Sequence, residues 1–77
     1  DLAMPGLPAF DMLALDQALG QLASIDPRLV RVVELHCFAG LELDDVGRLT
    51  DTSGRTARRD WHRARAFLAV NLEGSPS

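Results

Sequence analysis

Apolar residues in this chain return at intervals of three and four, the spacing that keeps side chains on one face of a helix. In L-A-L-D-Q-A-L-G-Q-L the residues Leu15, Ala18, Leu19 and Leu22 share such a face, so a first helix is expected over about Phe10 to Ser24. Asp26 followed by Pro27 then reads as a start signal. The carboxylate can accept from unpaired amides, and proline fits the first helical turn because its missing donor is not needed there. A second helix is expected from Pro27 to Phe38, with Leu29, Val30, Val32, Val33, Leu35 and Phe38 apolar on most sides, ending at Gly40. Such a helix is either central or gives surface to a partner.

The third helix, about Leu43 to Leu49, is short and should turn Leu43, Val46 and Leu49 inward. Asp44 and Asp45 stand near the positive end of its dipole. Thr50, Asp51 and Thr52 make a tight connection in which Asp51 is expected to be left-handed. Ser53 is placed to cap a long last helix that runs to about Leu72. Two helices joined by about three residues form a helix-turn-helix, and Gly47 can let them approach closely. The fold expected is therefore all-α: a small four-helix domain ending in a helix-turn-helix with a long recognition helix.

The last helix carries the clearest chemistry. In S-G-R-T-A-R-R-D-W-H-R-A-R-A-F-L, Ala57, Trp61, Ala64 and Leu68 fall on one stripe. Arg55, Arg58, Arg59, His62 and Arg65 point into the other half, with Arg63 at its edge and Asp60 nearer the apolar stripe. A basic face of this kind suits a nucleic-acid groove. Charge alone favours a solvated surface for such a face, and it takes the short turn before it together with the order of residues along the chain, set out below, to shift the balance toward DNA. Trp61 could stack on an unpaired base, but its position on the apolar stripe makes it a core residue.

Length and charge narrow the rest. Seventy-seven residues that are 47% hydrophobic make one domain. Residues 1–9, with Pro5, Gly6 and Pro8, read as a flexible linker left by a cut between domains, 10–72 as the helix-turn-helix domain, and 73–77 as a disordered tail. Net charge is −3, distributed unevenly. Asp1 to Ser53 holds nine acids and three arginines, a sum of −6, while Gly54 to Ser77 holds five arginines and two acids, a sum of +3. Attraction to phosphate is thus local to the last helix. All eight basic residues are arginine, whose planar fork suits guanine and phosphate.

Other chemistry finds little support. Cys37 is the single cysteine, which excludes an internal disulfide and fits a reduced, cytoplasmic setting. No apolar run is long enough to span a membrane, and no signal peptide is legible at the start. His36 and Cys37 are neighbours, diverge on a helix and have no matching ligand spacing, so no metal is expected. Asp44 and Asp45 serve the helix dipole better than acid–base chemistry, and neither catalysis nor a cofactor is expected.

The residues in this order resemble region 4 of sigma-70-type transcription initiation factors, in the extracytoplasmic-function (ECF) group. L-D-Q-A-L-G-Q-L-A-S-I-D-P-R is similar to that group's first helix and its junction, and R-V-V-E-L-H-C-F-A-G-L to its second helix. D-D-V-G-R-L-T-D-T-S-G-R-T-A-R-R-D-W-H-R-A-R-A-F-L is similar to its helix-turn-helix, including the closing R-A-R. The resemblance implies that the last helix reads the minus-35 element of double-stranded promoter DNA while core RNA polymerase holds the domain through its flap. It implies base and nearby phosphate contact for Arg58, Arg59, His62 and Arg63, and backbone phosphate contact for Ser53, Arg55 and Thr56. An anti-sigma factor is a further partner it allows.

Several positions depart from the group's pattern. Glu42 replaces a serine or threonine cap, Gly47 an alanine and Asp51 a glycine, changes that weaken the third helix by tenths to about 1 kcal/mol. Ala57 replaces a valine. Asp60 stands where many relatives carry arginine, which bears on the bases read. Two other classes stay open on sequence: a different helix-turn-helix regulator that binds paired half-sites as a dimer, and a protein-interaction domain built on the apolar surplus of the first three helices.

Overall fold

The computed structural model of the chain describes residues 12–73, and the expectations for 1–11 and 74–77 lie outside them. Its elements are α1 (Met12–Ile25), α2 (Pro27–Val33) with a π-helical turn (Glu34–Phe38) continuing it, α3 (Leu43–Leu49) and α4 (Gly54–Glu73). The described residues hold helices and no strand, the expected all-α architecture. Helix α4 is the axis of the domain and packs against α1, α2 and α3 in turn.

The core follows the periodicity. Helix α1 buries Leu15, Ala18 and Leu22, with Leu19 half-buried beside them, and α2 buries Leu29, Val32 and Val33. At the start of α2 the Asp26 carboxylate accepts the Arg28 amide at 3.1 Å, and Pro27 occupies the first turn. Each buried leucine or valine contributes on the order of 1.5–3 kcal/mol through removal from water.

The end of the second helix departs from the α geometry that the sequence predicts up to Phe38. Over Glu34–Phe38 the turn widens, and the Ala39 amide reaches back five residues to the Glu34 carbonyl at 3.0 Å. Gly40, at φ 75°, then reverses the chain, and the Leu41 amide donates to the Leu35 carbonyl at 3.0 Å. The wide turn coincides with two contacts of His36. Its Nδ1 lies 2.8 Å from the Leu41 carbonyl, which can only accept, so that nitrogen donates, and its ring meets Trp61 edge-on at 4.9 Å.

Helix α3 starts at Glu42, whose side chain makes no capping bond. It buries Val46 and Gly47, while Leu49 is 57% exposed, against the expectation that Leu49 turns inward. The reason is close approach. A Cβ on Gly47 would lie 2.5 Å from the Ser53 carbonyl carbon and 2.8 Å from the Gly54 nitrogen, so this face of α3 rests on the backbone that opens α4. Leu43, on the near side of Val46, is half-buried, and Leu49 is left to solvent.

The turn obeys its residues. Asp51 has φ 57°, the left-handed conformation expected of it. Thr52 returns its amide to the Gly47 carbonyl at 2.7 Å, and the Thr50 hydroxyl donates to the Val46 carbonyl at 2.8 Å. Among the described residues no buried side-chain nitrogen or oxygen lacks a partner. None of their helices is long and apolar enough to cross a membrane.

Candidate nucleic-acid interface

Helix α4 owes its rotation to a stripe at i, i+4, i+7 and i+11: Ala57, Trp61, Ala64 and Leu68 are all buried, Trp61 at 6% exposure. Small alanines at two of these places let α4 sit close to its neighbours, and the indole fills the space between them. With that stripe fixed inward, Arg55, Arg58, Arg59, His62 and Arg63 are all exposed. Thr56 is half-buried at the helix start. Arg65, expected in the basic half, is also half-buried, and its Nη2 lies 3.5 Å from His62 Nδ1.

The start of α4 is capped by its own residues. Ser53 Oγ accepts the Thr56 amide at 3.1 Å and donates to Thr56 Oγ1 at 3.3 Å. This satisfies one of the amides a helix start leaves without an intrahelical partner. The partial positive charge of the helix end lies beside Arg55, which reinforces attraction to an anion.

Two carboxylates bound this face from opposite sides. On one flank Arg58 Nη2 is 3.1 Å from Asp44 Oδ1 of α3, a contact across the helix-turn-helix with both side chains more than half exposed. On the other, Asp60 turns into the domain and meets Arg28 of α2. With its side chain 1% exposed, Asp60 is held inside the domain and does not join the basic face. Its position, roughly 60° from Ala57 on the side facing α2, makes it the polar member of the buried stripe. Between the two flanks stand Arg55, Arg59, His62 and Arg63, and no ion pair joins them to another described residue.

Sequence reasoning assigned no role to Arg28, whose partner lies 32 residues away, and none to Asp44 as a neighbour of Arg58. The second could have been found by laying the two helices across the turn; the first has no local signal. Burial pushes the Cys37 thiol up to about 11, and among the described residues no three His, Cys, Asp or Glu side chains come together to hold a metal ion.

A family model described as ECF sigma factor matches residues 7–74. No curated protein and no solved structure matches the chain.

Proposed function

This chain belongs to the ECF sigma factor family, and we propose that it is the promoter-reading domain of such a factor, placing α4 in the major groove of the minus-35 element while RNA polymerase holds it through the flap. The family is one of non-enzymatic transcription factors that act with RNA polymerase on promoter DNA. The observation that carries the finer reading is the rotation of α4: Trp61 is buried while Arg55, Arg58, Arg59, His62 and Arg63 face solvent. The working unit is 10–72.

In this reading Arg58, Arg59, His62 and Arg63 contact base edges and nearby phosphates, and Ser53, Arg55 and Thr56 hold backbone phosphates at the helix start. An arginine on guanine adds about 1–3 kcal/mol of discrimination, whereas a phosphate contact strengthens binding to every sequence alike. The acidic remainder of the domain keeps affinity for bare DNA low, and polymerase supplies the rest of the hold. The exposed apolar side chains of Met12, Leu13 and Ile25 favour a protein contact, with polymerase or with an anti-sigma factor.

The test is run-off transcription by core polymerase and the full-length factor on a promoter library. Recovered promoters should share one element at the minus-35 position. Palindromic paired half-sites bound without polymerase would instead make the chain a dimeric regulator.

A further inference from the structure

Among the exposed arginines of α4, one is held before any DNA arrives. Arg58 is tied by Nη2 to Asp44 Oδ1 at 3.1 Å, across 14 residues of chain and from one helix of the motif to the other. Arg48 also has a partner, Asp45 at 2.7 Å, but that pair lies within α3 and off the α4 face. Room for the Asp44–Arg58 contact comes from Gly54, the first residue of α4. A Cβ there would fall on Asp44 Oδ1 and come within 3.3 Å of Arg58 Nη1, inside the pair itself. Glycine is otherwise a poor helix opener next to serine or alanine, and here it leaves the space the carboxylate fills.

We propose that Asp44 is a specificity-determining positioning residue, which orients Arg58 as the arginine that reads a base in the minus-35 element. The inference rests on the promoter-reading role proposed above. The contact is single-pronged, so Nη1 and the second hydrogen of Nη2 stay available for the two acceptors that guanine presents in the major groove. Fixing the guanidinium in the free protein removes part of the ordering cost of that recognition. The carboxylate also repels phosphate, so a DNA that offers Arg58 no base acceptor gains less from it. Arg55, Arg59 and Arg63 have no such anchor among the described residues and fit mobile backbone contacts.

The test uses the full-length factor in holoenzyme on a promoter library, with Arg58→Ala, Asp44→Ala and Gly54→Ala compared against the unaltered chain. Arg58→Ala flattens the preference at one base pair and so identifies it. Gly54→Ala keeps every charge and suits a helix start, but its methyl displaces the Asp44 carboxylate. The expected result is that Asp44→Ala and Gly54→Ala each cut preference at that same base pair by about three- to tenfold, a fraction of what a full bidentate contact carries. Preference elsewhere and the thermal midpoint stay close to those of the unaltered chain. Preference at that pair kept within twofold in Gly54→Ala overturns the positioning role, as does a library in which Arg59→Ala, and not Arg58→Ala, flattens a position. If the unaltered holoenzyme shows no preference at any minus-35 position, the promoter-reading role itself fails, a result distinct from either.

Discussion

Asp60 of α4 is 1% exposed, and its two carboxylate oxygens meet Arg28 of α2, Nε to Oδ2 and Nη2 to Oδ1, each at 3.3 Å. The paired geometry fixes how α4 is turned about its axis, because the carboxylate can face only α2. The arginine is itself part-exposed, so the pair is weaker than one fully sealed from water. Removing Arg28 nevertheless leaves a buried charge unpaired. Arg28→Ala should lower stability by about 2 kcal/mol, a fall of roughly 10 °C in thermal midpoint for a domain of this size. Circular dichroism melts of Arg28→Ala and of the charge-free pair Arg28→Met with Asp60→Leu make the check. The pair should recover most of the loss, and an Arg28→Ala melt that matches the unaltered chain would remove Asp60 from this role.

Gly47 gives a prediction of opposite sign to helix propensity. Alanine is favoured over glycine in a helix by about 1 kcal/mol, and relatives are expected to carry alanine here. In this chain the added methyl meets Ser53 backbone at 2.5 Å, which has no flexible end to swing away. Gly47→Ala should destabilise by about 1–3 kcal/mol in urea unfolding, the usual cost of overpacking. A gain in stability would mean that α3 and α4 separate without penalty.

The single thiol provides a probe of the second helix. With the Cys37 pKa raised from 9.0 to about 11 by burial, the thiolate is scarcer at pH 8 than that of an exposed cysteine by about a hundredfold. Higher basicity makes each thiolate more reactive, which offsets about tenfold of this. Alkylation by iodoacetamide should therefore run about tenfold slower in the folded chain than in urea. The sign for stability follows from the same shift: the unfolded thiol loses its proton first, so stability is constant below pH 9 and falls as pH rises from there toward 11. Equal alkylation rates in the two states would place the thiol in open solvent.

Most of the fold could be read in the chain because its determinants are local. Asp26 and Pro27 announce a helix start, Asp51 a left-handed turn, and the Ala57–Trp61–Ala64–Leu68 stripe a rotation, and each does what the residue type dictates. The solvent-facing basic set was legible for the same reason, since an exposed face is the complement of a buried one. Tertiary partners were not. Asp60 reads from sequence as a departure on a basic helix, and only the arrival of Arg28 from α2 gives it a buried place. Leu49 has an apolar residue's claim on the core, yet Gly47 takes the contact because the two helices meet backbone to backbone. The wide turn at Glu34–Phe38 likewise coincides with a long-range contact, His36 against Trp61, 25 residues further on.

Salt should report how many phosphates the exposed face engages. If about four are neutralised, the logarithm of promoter affinity should fall with the logarithm of salt at a slope near −4. Arg55→Ala should reduce that slope by about 1 while leaving base preference alone, as expected of a phosphate contact. Filter binding or fluorescence anisotropy of the chain itself on minus-35 duplex across a salt series gives the slope. A value near zero would mean that α4 does not approach the backbone.

Whether the solvent face of α4 reads the promoter is decided by run-off transcription with holoenzyme carrying Arg58→Ala together with Arg59→Ala. Promoter-specific transcript should be abolished while binding of the factor to core polymerase is unchanged. Undiminished transcript from the double variant would contradict the account.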